Sequence, residues 1–555
     1  MMPHRFLKTL AGAAVLLTAC GPRVTTGAPT AVVPPSALPV TRAERTDYRE
    51  TSSYADVMTF LDVIRGLGAP ITMDTLAISP AGRVVPLIIA SRPRVRTVDE
   101  ARALKRPVVY IQANIHAGEV EGKEAMLALL RDWSFSARPN VLDSLVLVII
   151  PIYNADGNEK LAPQARNRGA QNGPEMIGER PNGMGLDLNR DFIKAEAPET
   201  KGALTAFTRW MPDVYMDLHT TNGSYHGYAL TYSPSLHPAA PLAPFTADTL
   251  LPEIRRRMKV RHGFEVFPYG NFTGADGRES ITATTKSGWW TYEHKARYGT
   301  NYYGLRGGIS ILSEAYSHDP FGRRVASTRA FVQEILSYLA ERPAAIRTRV
   351  ATGMAAATFT SDRVAPVAVR GRFLSRPDTQ AVLVEALERL ADSAAFTQPG
   401  VPRGIRRTGT IAAQRMPVVD RFEAAMRRSP SVHGYVLGSE WSAAVALLRT
   451  HGVPVTSVAA ETTVPVQQFR IDSVVASGRA FQGHREMRVE GRWVDTTLTV
   501  PAGSFLVRTG SPLDLVAMQL LEPETDDGLL TWNLFDKALV VGGVAPVARL
   551  RAPLR

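Results

Sequence analysis

Short apolar runs that stop abruptly at chemically active residues constrain this chain more than any other feature. Val108–Ile115 ends at His116, Val214–Leu218 ends at His219, and Gly308–Leu312 stops just before Glu314. Leu145–Ile152 breaks at the turn Asn154-Ala-Asp-Gly157. Runs of this kind, with no polar alternation, fit strands covered on both faces. Between them, Val120–Trp133 spaces Met126, Leu127, Leu129 and Leu130 at helical intervals, and Phe321–Leu339 is a second predicted helix. Strands alternating with helices predict an α/β domain with a mixed, mostly parallel central sheet and helices on both faces. Ligands of such sheets sit beyond the carboxyl ends of the strands. That is where the histidines and the glutamate fall.

A chain of 555 residues exceeds one ordinary core, so a second domain is expected. The texture changes after about Ala344, where β-like pieces appear at Val382–Leu387, His433–Leu437, Ala443–Leu448, Val453–Val455 and Phe505–Val507. Residues 48–345 are assigned to the first domain and 346–555 to a second, smaller α/β domain of unassigned role. Gly434–Thr450 reads as strand–turn–helix, faintly flavodoxin-like or amidotransferase-like. The single cysteine excludes a disulfide framework, a cysteine-based zinc cluster and a Cys-dependent amidotransferase. A net charge of +12 comes mostly from scattered arginines rather than blocks with interleaved aromatics, so no nucleic acid is expected as a partner.

The amino terminus has its own logic. Arg5 and Lys8 precede the apolar stretch Leu10–Leu17, which is followed by Leu-Thr-Ala-Cys20. A basic segment, a short apolar core and small residues make a secretory signal rather than a spanning helix. Leu-Thr-Ala-Cys resembles the bacterial lipobox. Residues 1–19 are therefore expected to be removed and Cys20 lipidated, with residues 20–47 as a Pro/Thr/Ala-rich tether. The expected location is the cell envelope after export, with the membrane touched only through the anchor.

His116 and Glu119 lie three apart where a strand gives way to a helix, so a tight turn or first helical turn aims both at one point. With His219 they form a two-histidine, one-carboxylate set, the ligand type of a catalytic zinc site with one position open. Glu314, at the end of an apolar run, is placed where desolvation suits it as a general base. Arginine presents a planar fork to carboxylates, so an Asn–Arg pair such as Asn189-Arg190 near a metal suits a terminal carboxylate.

His116-x-x-Glu119, Asp187-x-Asn189-Arg190, His219 and Glu314 occur in the order of the carboxypeptidase A-like zinc metallocarboxypeptidase family, which residues 50–340 resemble. The resemblance implies one zinc ion held by His116, Glu119 and His219, with Glu314 as base and later acid. It implies that Asn189 and Arg190 hold the substrate's C-terminal carboxylate and that Asp187 orients the first histidine. Arg168 best matches the arginine that polarises the scissile carbonyl, with Arg166 a close rival. Tyr292 and Tyr303 are both candidates for the tyrosine that covers the substrate. The implied activity is hydrolysis of the last peptide bond of a peptide with a free carboxylate. Rival readings are a zinc amidase acting on N-acyl amino acids or peptidoglycan peptides, and a non-catalytic peptide-binding lipoprotein.

Overall fold

The computed structural model describes Met1 and residues 37–554, apart from 275, 361–364 and 392–400. Cys20 and the expected signal segment lie outside the described residues. Among the described residues no helix is long and apolar enough to cross a membrane.

The strands of the first half are β1 (Ile71–Ile78), β2 (Val84–Ala90), β3 (Val108–Ala113), β4 (Val146–Ile150), β5 (Val214–Thr220), β6 (Leu230–Pro234), β7 (Val266–Pro268) and β8 (Ile309–Ala315). The helices that matter here are α1 (Tyr54–Gly66), α2 (Glu121–Phe135), α3 (Pro198–Trp210), α4 (Leu251–His262), α5 (Gly299–Leu305) and α6 (Phe321–Glu341). The strands form one eight-stranded sheet in the order β1-β2-β4-β3-β5-β8-β6-β7. Its centre, β4-β3-β5-β8, is parallel, and β1, β2 and β6 join it antiparallel to their inner neighbours.

Period-two alternation divides this sheet into two cores. Val109, Ile111, Val214, Met216, Ile309 and Ile311 face one way, against Leu61 of α1, Leu130 of α2, Ile254 of α4 and Ile335 of α6. Tyr110, Val148 and Tyr215 face the other way, against Phe207 of α3 and Tyr302 and Tyr303 of α5. Each fully buried large apolar side chain contributes roughly 1.5–3 kcal/mol. Because both faces are covered, every residue of β3, β4, β5 and β8 is buried, which explains the predominantly apolar runs. The run expected at Gly308–Leu312 continues to Ala315, so Glu314 lies inside the strand rather than after it. The expected turn at 154–157 is a helix start: the Asn154 side chain accepts from the Gly157 N–H and caps Ala155–Glu159.

Beyond α6, two antiparallel hairpin pairs pack onto the first half: β9 (Val367–Leu374) with β12 (Arg421–Arg428), and β10 (Gln380–Arg389) with β11 (Ile405–Met416). The remaining strands are β13 (Tyr435–Leu437), β14 (Val455–Ser457), β15 (Thr462–Ala476), β16 (Met487–Val500), β17 (Phe505–Val507) and β18 (Val544–Leu550), with α7 (Ser442–Thr450) and α8 (Asp514–Leu521). They form a six-stranded sheet, β14-β17-β13-β18-β15-β16, in which each neighbouring pair is antiparallel. The flavodoxin-like expectation fails here, because β17 lies between β13 and β14 and is antiparallel to both, so the two do not pair directly as parallel neighbours. Ala443–Leu448, one of the β-like pieces, is helical within α7, as the strand–turn–helix reading requires.

The two halves share a core. Tyr435, Leu448, Phe469 and Trp532 belong to the same buried cluster as Tyr110, Phe207 and Tyr215. Sheet residues of the first half are thus covered on one face partly by the second.

Candidate metal centre

The site starts from the way β3 ends. Asn114 takes a left-handed conformation, φ 63°, and its side-chain amide donates to the carbonyls of Ala117 and Glu119 at 3.2 and 3.3 Å. An asparagine tolerates that conformation because its side chain can satisfy the local backbone. The chain then turns tightly, with the Glu119 N–H donating to the His116 carbonyl at 2.9 Å. His116 and Glu119 therefore meet in the turn, and α2 begins afterwards at Glu121. Close packing of α2 on β5 needs Gly122: a Cβ there would stand 2.8 Å from the Leu218 Cβ and 3.2 Å from the Ala113 Cβ.

His219 is the penultimate residue of β5, and Glu314 lies directly opposite it on β8 in parallel register. Ligand atoms of His116, Glu119 and His219 lie within 4.8 Å of one another, and all three residues are buried. The Glu119 carboxylate stands 3.1 Å from His116 Nδ1 and 2.9 Å from His219 Nδ1. Each imidazole meets a second carboxylate through its other nitrogen: His116 Nε2 is 3.0 Å from Asp187, and His219 Nε2 is 3.0 Å from Asp217. Both rings are thereby aimed with Nδ1 inward. A carboxylate behind a ligating histidine is the usual support of such a centre.

The electrostatics favour a cation at the point of convergence. Burial alone would push Glu119 up, yet His116, Arg168 and His219 hold it well below the usual carboxylate range. Burial alone would lower His219, but Asp217 and Glu119 together raise it well above the usual histidine value. Asp187 is likewise held down against its own burial by His116, Arg180 and Arg190. Two imidazoles and a carboxylate, buried and braced in this way, are a nitrogen–oxygen donor set suited to zinc.

Glu314 differs from all of these. Among the described residues no group hydrogen-bonds its carboxylate, and burial, reinforced by Glu119, pushes it up to about 8 against the pull of His219, Arg168 and Arg180. It lines a cavity of about 340 Å³ together with His116, Glu119, His219, Arg180, Asn189, Arg190, Tyr292 and Tyr298.

Asn189 and Arg190 enter this cavity from the short turn that Asp187 caps, with the Asp187 carboxylate accepting from the Asn189 N–H at 3.0 Å. The Gly299 N–H donates to the Asn189 side chain at 2.9 Å, and the Arg190 guanidinium lies 4.3 Å above the Tyr298 ring. The expected arginine is less simple. Arg168 is tied to the Glu119 carboxylate and the carbonyls of Thr220 and Thr221 and is not among the cavity-lining residues, while Arg166 is exposed. Arg180, half-buried, lines the cavity and reaches Asp187 at 2.9 Å and Glu119 at 3.6 Å.

The two tyrosines part company. Tyr292 lines the cavity, with its ring 5.7 Å from Tyr269 and 5.2 Å from Tyr298. Tyr303 does not reach it. As part of α5 it is buried in the core beneath the sheet, stacked on Tyr215 at 5.1 Å and donating to the Pro212 carbonyl.

Asp217, Arg180 and Phe373 escaped the sequence reading as site residues, and Tyr298 was passed over in favour of Tyr292 and Tyr303. For Asp217 a signal existed: it stands two residues before His219 on one strand, so both project from the same face. Arg180 sits in an irregular segment and Phe373 comes from β9 in the second half, so spacing pointed to neither.

Residues 69–294 match the family model described as zinc carboxypeptidase. Carboxypeptidase 2 of Trichophyton equinum is 22% identical over 467 residues, covering 80% of this chain and 76% of its own. Carboxypeptidase 2 of Trichophyton rubrum is 21% identical over 468 residues, again covering 80% and 76%. Among solved structures, a metallo-carboxypeptidase from Burkholderia cenocepacia aligns with a TM-score of 0.37 and 18% identity, over 52% of this chain and 70% of that one. Residues 69–294, which carry His116, Glu119 and His219, are thus similar to the zinc carboxypeptidase family.

Proposed function

We propose that this protein is a zinc-dependent metallocarboxypeptidase in which His116, Glu119 and His219 hold the ion. The observation that carries the reading is the convergence of those three ligand atoms beside Glu314, in one cavity with Asn189 and Arg190. A bound zinc ion supplies an acidified water and a polarised carbonyl. The remaining work falls to side chains of this chain. Glu314, raised by burial, takes the proton of the attacking water and hands it to the departing amine. Asn189 and Arg190 hold the free carboxylate of the substrate, which restricts cleavage to the last peptide bond. Arg180, placed in the cavity wall, is the guanidinium best situated to steady negative charge on the reacting carbonyl oxygen, a contribution of about 3–4 kcal/mol for a well-placed donor. Tyr292 flanks the bound residue.

Metal analysis of the purified chain, combined with mass spectrometry of products from peptides with free and amidated C-termini, tests the reading. Stoichiometric zinc and stepwise shortening of the free-acid peptides alone are expected. Internal fragments, or equal cleavage of amidated peptides, would sink the exopeptidase assignment. Export and lipidation at Cys20 rest on the Leu-Thr-Ala-Cys motif, and mass spectrometry of the mature amino terminus tests them.

A further inference from the structure

The long β15–β16 hairpin ends in a loop, residues 477–486, that reaches across to the first half of the chain. Alternate residues of this loop each hold a residue near the site. Gln482 accepts through its side-chain oxygen from the Asp187 N–H at 2.9 Å. His484 bonds the Glu196 carboxylate at 2.8 Å. Glu486 accepts from Arg297, whose own N–H and guanidinium are held by Asp527. Two residues after Arg297 comes Gly299, whose N–H fixes the Asn189 side chain.

Gln482 touches the most consequential of these partners. Asp187 receives His116 Nε2 and the Asn189 N–H on one carboxylate oxygen and Arg180 on the other. Its carbonyl accepts from the Arg190 N–H at 3.0 Å, and its backbone N–H is the handle that Gln482 occupies from the second half. Gln482 does so in a left-handed backbone conformation, φ 49°, which disfavours a side chain with a Cβ. Such conformations persist where surrounding structure imposes them, and they cluster at functional sites.

We infer that Gln482 is a positioning residue of the metal centre: from the second half of the chain it fixes the Asp187 backbone, and through Asp187 it orients His116 and the Asn189–Arg190 turn. The second half thereby completes the site rather than merely covering the sheet. The inference rests on the zinc reading above. Loss of a support behind a metal ligand typically costs 10–100-fold in metal affinity or activity.

Three variants of the full-length chain test it: Gln482→Met, which keeps the length but loses the acceptor; Gln482→Gly, which relieves the backbone strain and also loses the acceptor; and Arg479→Ala, an exposed change in the same loop. Zinc affinity is read by chelator competition, turnover as separate kcat and KM, and folding by thermal melting. The expected result is about tenfold weaker zinc binding and about tenfold lower kcat in both Gln482 variants. The melting temperature of Gln482→Gly should equal or exceed that of the parent, and Arg479→Ala should behave like the parent. A purely structural loop would instead make zinc affinity follow melting temperature, so Gln482→Gly would bind zinc like the parent. Parental zinc affinity in Gln482→Gly and Gln482→Met overturns the inference while leaving the carboxypeptidase reading intact. A parent chain that binds no zinc overturns that reading itself.

Discussion

The two halves of this chain use sheets in opposite ways. In the first half the central strands run parallel, are buried from end to end, and finish at residues that do chemistry: His219 on β5, Glu314 on β8, and His116 just past β3. In the second half the sheet is antiparallel, and its longest strands, β15 and β16, bury only some of their residues, such as Val464, Val466, Phe469 and Ile471 on β15 and Val489 and Val500 on β16. Among the described residues the one group arranged to hold a metal belongs to the first half. Parallel strands converge their carboxyl ends on one side of the sheet, so side chains distant in sequence arrive together. An antiparallel meander sends alternate strand ends to opposite edges and builds no such focus. What it offers instead is reach, since a hairpin of this length can carry a loop to a site it does not itself contain.

The division can be broken experimentally, beginning with the largest effect. Glu314→Gln should retain zinc and lose about 10²–10⁴-fold in kcat, measured by metal content and steady-state hydrolysis. Near-normal turnover would show that the strand-end focus is not catalytic. A comparably large effect of another kind is expected in the second half, where Arg549 donates to the buried Glu522 at 2.7 Å and the Tyr435 hydroxyl donates to the same carboxylate. Arg549→Ala strands that carboxylate and should cost about 3–5 kcal/mol in denaturant unfolding, with zinc per folded molecule unchanged.

His451 sharpens the contrast at the seam. It lies at the end of α7, accepts from the Tyr302 hydroxyl at 2.8 Å and donates to the Ile193 carbonyl at 3.0 Å, so it joins the halves as a neutral ring. Burial lowers it to about 4, the Ile193 carbonyl opposes that shift, and Arg306 adds to it. A folded value below the unfolded one, about 6.5, means that its contribution is complete above about pH 6.5 and is lost as the pH falls toward 4. The loss is on the order of 3 kcal/mol. Denaturant midpoints at pH 7 and pH 4 should fall less steeply in His451→Gln than in the parent. An unchanged slope would mean that the seam does not titrate.

The smallest effects separate the two tyrosines. Tyr292→Phe should shift KM several-fold for peptide substrates and leave the melting temperature unchanged. Tyr303→Phe should leave KM alone and cost about 1 kcal/mol of stability, the net worth of one buried hydrogen bond. A KM change in Tyr303→Phe would contradict its placement in the core.

Legibility in the sequence follows the same division. His116, His219 and Glu314 were readable because double burial writes a strand as a mostly apolar run with a polar residue standing out at its end, and Glu119 was readable from its spacing of three from His116. Asn189 and Arg190 were readable through a motif. Tyr303 misled because it lies in the same tyrosine-rich stretch upstream of Glu314 as Tyr292, whereas α5 turns its ring beneath the sheet toward Tyr215. Arg180 was hidden in a segment without periodicity, where no spacing rule indicates direction. Gln482 could not be found at all, since its partner Asp187 lies 295 residues earlier and no local pattern links them. The antiparallel order of the second sheet was also out of reach, because short strands such as β13 and β14 carry no record of their neighbours' direction.

Gly122 has no functional group, yet it governs how firmly an ion can be gripped. Helix and strand touch there with only a hydrogen atom between them. Adding a single methyl would wedge α2 away from β5, and Glu119 would retreat from His219 with it. The spacing of Glu119 from His219 therefore depends on a contact that is itself chemically silent.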